Sequence, residues 1–166
     1  MIKVIGSKVH QDGRGSFIET WRAEDFDMKF VQANLSYSRP YVLRGLHYRV
    51  RGQQAKLMRC VTGSAAVVAV DLRRADRGKW EIVHLNEQNA QSVLIPPGHA
   101  AGFLALGRGA TMSYLMTAYH DPADDHALDA LDPALGIEWP RYDYVRSARD
   151  RIAPRLEAIS LEDLPK

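Results

Sequence analysis

The sequence predicts an all-β domain, an antiparallel sandwich or barrel, on three observations. Segments of strand character recur at short, fairly regular spacing, Gly, Pro and Asp punctuate them, and helical periodicity is nearly absent. The first strand is expected over 16–20, after the turn signal Asp12-Gly13-Arg14-Gly15, and the next over 31–36. A strand over 41–48 follows Pro40, and one over 56–61 ends before Gly63. Within a strand over 65–72, the run Ala65-Ala66-Val67-Val68-Ala69-Val70 is apolar at every position, the pattern of a strand covered on both faces. Strands over 80–85, 92–95, 102–106 and 111–118 complete the set, Gly107 and Gly109 separating the last two. Beyond them, 121–132 is rich in Asp and Ala and reads as a loop or short helix. Helical rhythm appears only over 155–164, where Leu156, Ile159 and Leu161 line one side and Pro154 sits at the start. No repeat, low-complexity tract or linker interrupts the chain, so one domain over 1–166 is expected.

Composition narrows the function classes. With 46% hydrophobic and 25% charged residues, 166 residues suit a globular domain with a real core. No apolar run approaches the roughly 18 residues of a spanning helix, so no membrane partner is expected. Met1-Ile2-Lys3-Val4-Ile5 turns polar too quickly for a signal peptide. Cys60 is alone, which precludes an internal disulfide and makes a cytoplasmic location the expectation. The net charge is only +2, but Arg14, Arg39, Arg44, Arg49, Arg51 and Arg59 gather early in the chain. Arginine suits bidentate contact with phosphate oxygens, so these residues point to an anionic ligand. Nucleic acid is not the expected partner, because basic runs interleaved with aromatics and zinc-finger spacing are both missing.

Four segments hold side chains suited to catalysis. In Leu43-Arg44-Gly45-Leu46-His47-Tyr48, a histidine able to act as a base near neutral pH follows an arginine on one strand. Lys56 shares strand parity with Met58 and Cys60, and an inward cation there needs an anion or a reacting oxygen, or else snorkels. Tyr114, flanked by Met112 and Met116 on its face, is either a core tyrosine or a proton donor. Asp150, in Arg146-Ser147-Ala148-Arg149-Asp150, either caps a helix or orients a histidine.

Together these segments resemble the dTDP-4-dehydrorhamnose 3,5-epimerase family. The resemblance runs from Asp12-Gly13-Arg14-Gly15-Ser16-Phe17 to the Asp150 segment. It is carried most specifically by Arg44-Gly45-Leu46-His47, Gln54-Ala55-Lys56-Leu57, Val68-Ala69-Val70-Asp71-Leu72-Arg73, Ile95-Pro96-Pro97-Gly98 with Gly102-Phe103, and Asp132-Pro133-Ala134-Leu135-Gly136-Ile137-Glu138-Trp139-Pro140. It implies a cupin-type jelly-roll β-sandwich with short C-terminal helices, and epimerisation of a nucleotide-linked 4-keto-6-deoxy sugar at C3, C5 or both. By resemblance His47 is the base, Asp150 its carboxylate partner, Lys56 the cation near the C4 oxygen, and Tyr114 the acid on the opposite face. Arg14 and Arg44 match arginines that hold the diphosphate, while Phe17, Glu19, Gln32, Asn34, Arg59 and His120 complete the implied substrate-binding set. The resemblance also implies a homodimer with exchanged strands and no metal or other cofactor.

Four positions depart from the family pattern. Arg49 stands where glutamine is common, His99 where an aromatic is usual, Ala101 where a histidine is usual, and His120 where an aromatic often stacks on the base. They favour, as an alternative, a monofunctional 3- or 5-epimerase acting on a different nucleotide sugar. A metal-dependent cupin wants a His-x-His pair, but Arg49 occupies the second position after His47. A non-catalytic sugar-nucleotide binder has no need of His47, Lys56, Tyr114 and Asp150 together. Nicotinamide chemistry lacks its Gly-rich strand–helix fingerprint.

Overall fold

The computed structural model describes residues 2–165. Its strands are β1 (Lys3–Gly6), β2 (Val9–Asp12), β3 (Gly15–Ile18), β4 (Gln32–Ser38), β5 (Leu43–Tyr48), β6 (Lys56–Asp71), β7 (Trp80–Asn86), β8 (Gln91–Ile95), β9 (His99–Met116) and β10 (His126–Ala127). A single α-helical turn, α1 (Ala148–Arg151), follows them.

Two long strands, β6 and β9, pair antiparallel from Lys56↔Met116 to Asp71↔His99 and belong to both layers of the fold. The first half of β6 borders β8, and its second half borders β7. The second half of β9 borders β4, and its first half borders β5. One layer therefore runs β1-β8-β6-β9-β4, and the other runs β7-β6-β9-β5-β10. The crossing comes at Gly63, whose φ is +77° and where a Cβ would lie 2.0 Å from the Gly109 carbonyl oxygen. Only glycine tolerates that approach. The segments expected as separate strands over 56–61 and 65–72, and over 102–106 and 111–118, are thus single strands bent through a corner. The result is a β-sandwich of jelly-roll type, in agreement with the expectation.

The burial pattern follows from this path. Met58, Cys60 and Met112 of the first layer meet Val67, Ala69 and Phe103 of the second in the inter-layer core. The opposite face of the second layer, with Ala66, Val68 and Val70, is covered by Leu128, Trp139, Ile159 and Leu164 from the C-terminal segment. Double coverage is what the uninterrupted apolar run of β6 signals.

Three further features differ from the sequence expectation. β1 and β2 are four-residue strands too short and exposed to show a pattern. β2 and β3 pair only with each other, as a hairpin outside the sandwich. The helix expected over 155–164 is instead two 3-10 turns, Leu156–Ala158 and Leu161–Asp163. Ser160 accepts from the Glu162 N–H and starts a new turn, which leaves Ile159 extended and docked in the core.

Candidate active site

Between the layers, where β4 faces β5, lies a cavity of about 730 Å³. Strand alternation selects what enters it. Lys56 and Met58 point inward from β6, Gln32 and Asn34 from β4, and Tyr114 from β9 of the same layer, while Arg44 and His47 enter from β5 of the other.

His47 and Asp150 form a close pair in the cavity, His47 Nε2 lying 2.8 Å from Asp150 Oδ1. The Ser147 hydroxyl caps α1 by accepting the Asp150 N–H at 3.0 Å, which aims the carboxylate at β5. Asp150 Oδ2 also accepts the Gly45 N–H at 3.3 Å. Burial alone would raise the Asp150 carboxyl, but the hydrogen bond from His47, the electrostatic pull of that ring and the Gly45 N–H together hold it below the usual range. β5 and β9 approach closely beside this pair. Gly45 has φ +103°, and a Cβ there would lie 2.8 Å from the Ala101 carbonyl oxygen.

Lys56 Nζ donates to the His47 carbonyl oxygen at 3.3 Å, so the cation sits beside the histidine strand. Burial pushes its ammonium down to about 8, with Asp125 resisting and Arg49 adding to the fall. Tyr114 is half-buried, paired with Asn34 of β4 and Met58 of β6. At the other end, Gln32 Nε2 donates to Asn34 Oδ1 at 2.9 Å, and Gln32 Oε1 accepts the His120 N–H at 2.8 Å. Arg44 is steadied by Ser38 Oγ, 2.9 Å from its Nε, and by the Tyr37 carbonyl.

Of the residues singled out from the sequence, His47, Lys56, Tyr114, Asp150, Arg44, Gln32, Asn34 and His120 line this cavity. Four others lie elsewhere. Arg14, Phe17 and Glu19 belong to the hairpin and its continuation, where Arg14 pairs with Asp12 at 2.6 Å and Phe17 is 63% exposed. Arg59 has the opposite parity to Lys56, so it points out of the sandwich and reaches Ser7 Oγ at 3.2 Å. His99 is buried away from the cavity, with Nε2 3.6 Å from Asp71 and Nδ1 3.2 Å from the Pro97 carbonyl oxygen. Ala101 does line the cavity, opposite His47 in the β5–β9 ladder. The sequence reading missed Asp125 and Arg149, an ion pair of 2.6 Å at the cavity wall. The only signal for Arg149 was its place next to Asp150. Among the described residues, no three His, Cys, Asp or Glu side chains group as a metal site requires, and no helix is long and apolar enough to cross a membrane.

Comparison with known proteins gives one consistent result. Residues 2–158 match the family model for dTDP-4-dehydrorhamnose 3,5-epimerase. A dTDP-4-dehydrorhamnose 3,5-epimerase from Neisseria gonorrhoeae is 43% identical over 146 residues, 84% of this chain, which spans only 44% of that longer relative. The dTDP-6-deoxy-D-glucose-3,5-epimerase of Legionella pneumophila Philadelphia 1, solved with dTDP-4-keto-L-rhamnose, superposes with a TM-score of 0.95 at 37% identity. That match covers 99% of this chain and 93% of the other. A 3'-monoepimerase from Streptomyces bikiniensis, solved with dTDP-quinovose, gives a TM-score of 0.93 at 35% identity, covering 99% and 89%. The jelly roll is therefore of the cupin type. With its whole sandwich and cavity inside the matched region, the chain belongs to the dTDP-4-dehydrorhamnose 3,5-epimerase family.

Proposed function

We propose that this protein epimerises a dTDP-linked 4-keto-6-deoxy sugar at C3, C5 or both, through an enolate, with its catalytic apparatus in one domain. The observation that carries the reading is the His47–Asp150 pair facing Tyr114 across the cavity from the other layer. A 4-keto group acidifies the neighbouring C–H bonds, because the electron pair left on carbon delocalises onto the ketone oxygen. His47 takes the proton, and Asp150 stabilises the imidazolium that forms. Lys56 donates to the C4 oxygen as charge gathers there. Tyr114 then gives a proton to the same carbon from the opposite face, which inverts it. A base and an acid on opposite walls suit inversion, whereas a single residue would return the proton to the face it came from.

Arg44, at the cavity rim, holds the diphosphate, with Gln32, Asn34 and His120 around the nucleotide end. Arg14, Phe17 and Glu19 fit the same substrate in a homodimer, in which the β2–β3 hairpin of each copy reaches the cavity of the other. Support for this comes from the hairpin's separation from its own sandwich. The outer face of β4 adds to it, leaving Leu35 and Tyr37 69% and 66% exposed. The buried, unpaired Cys60 suits a reducing, cytoplasmic setting. Inversion at one carbon only is the second reading, favoured by Ala101, whose methyl group brings no donor to the cavity beside His47.

Proton NMR of dTDP-4-keto-6-deoxyglucose with the protein in D₂O tests the proposal. Loss of both the H3 and H5 signals supports the 3,5-epimerase, and loss of one supports the monofunctional reading. Retention of both excludes this substrate.

A further inference from the structure

Arg49 is a buried cation with one donor, Nη2, left without a partner. It lies two residues after His47, the spacing that returns a side chain to the same face of an extended segment, and it lines the cavity with His47 and Lys56. Arg49 is only 9% exposed, yet its Nη2 is buried without a hydrogen-bond partner. The arginines that enter near α1 each have a carboxylate partner, Arg146 with Asp129 and Arg149 with Asp125, both at 2.6 Å, although Arg146 Nε is itself without a partner. Asp125 is thereby committed to Arg149, and Asp150 to His47. Neither carboxylate of the cavity is left for Arg49.

The guanidinium is also held in place. Buried Asp124 accepts N–H groups from Val50 at 3.0 Å and Gly52 at 2.7 Å, which fixes the turn that follows Arg49. A Cβ on Gly52 would lie 3.3 Å from Arg49 Nη1, so the turn packs directly on the head group. A buried guanidinium with one N–H group left without a partner is costly in a purely structural role. It suits a donor prepared for an oxygen that becomes negative during turnover. Arg49 is close enough to Lys56 for its charge to act on that ammonium, whereas Arg44 is tied to Ser38 and Tyr37 at the rim. Ala101, the neighbour of His47 in the β5–β9 ladder, brings no side-chain donor to that wall.

Resting on the epimerase reading above, we infer that Arg49 donates through Nη2 to the C4 oxygen of the substrate and, beside Lys56, stabilises the enolate. The guanidinium keeps its proton throughout. The C–H proton passes to His47, and the electron pair it leaves moves onto the C4 oxygen and returns to carbon on reprotonation.

The test is deuterium wash-in at C3 and C5 of dTDP-4-keto-6-deoxyglucose by wild type, Arg49→Gln and Arg49→Met, with dTDP binding measured by calorimetry on each. Removing a donor used only as charge develops lowers kcat about 100-fold and leaves KM and dTDP affinity nearly unchanged. Arg49→Met, which keeps the stem and loses the head, shows the same loss, and thermal melting verifies that both variants are folded. Exchange at the wild-type kcat in either folded variant overturns the role. An equal loss of dTDP affinity also overturns it, by putting Arg49 on the diphosphate. A wild type that exchanges neither proton removes the epimerase reading itself, and this role falls with it.

Discussion

Asp150 meets His47 at 2.8 Å across 103 positions of chain, and the contact fixes one ring nitrogen on a buried carboxylate. The carboxylate stays ionised despite being 3% exposed, because the histidine and the Gly45 N–H both face it. The imidazole, fixed through Nε2, presents its other nitrogen as the basic one.

Replacing Asp150 with Asn keeps the shape and removes the charge. The epimerisation kcat is expected to fall about 10²- to 10³-fold, with substrate affinity little changed. Because the folded Asp150 pKa is depressed, its contribution to stability is present above the ordinary carboxylate range and lost as pH falls below it. Chemical denaturation of wild type and Asp150→Asn should therefore differ at pH 7 and converge in acid.

Lys56 gives a pH dependence of opposite sign for activity and stability. Its value of about 8 in the fold lies below the ordinary 10.5, with Asp125, Arg49 and the His47 carbonyl around it. Between these two values the unfolded chain holds the proton more tightly, so the Lys56 contribution makes folding more favourable as pH rises. In the proposed mechanism the same rise removes the charge that Lys56 offers the C4 oxygen. Turnover is expected to decline through pH about 8 while thermal stability does not, and in Lys56→Gln that descending limb disappears from an already slower enzyme.

Gly102 allows β5 to lie against β9 beside the His47–Asp150 pair. A Cβ there would fall 2.5 Å from the Arg44 carbonyl oxygen and 3.0 Å from Leu46 Cδ2. Gly102→Ala is expected to cost about 2–4 kcal/mol of stability by urea denaturation. It is also expected to slow epimerisation, because relief of the clash displaces the strand that carries His47.

Much of this was legible in the sequence because strand parity and local turn signals are local properties. Alternation placed Lys56, Met58 and Cys60 on one face, as observed. The same parity sets Arg59 on the other face, which is why it does not reach the cavity. The corner was not legible, because Gly63, Gly107 and Gly109 look like strand ends although the β6–β9 ladder continues past them. The rhythm of Leu156, Ile159 and Leu161 suggested a helix, but docking on the β6 face demanded an extended Ile159. Asp125 and Arg149 were invisible because their pairing depends on a fold that brings positions 24 residues apart to one cavity wall.

The division of labour between His47 and Tyr114 is the central claim, and Tyr114→Phe in D₂O tests it most directly. Proton NMR of the 4-keto sugar should show H3 or H5 still replaced by deuterium, because His47 removes and returns the proton on its own face, while the inverted product does not accumulate. Inversion at the wild-type rate in this variant would contradict the account, as would complete loss of exchange with substrate binding intact.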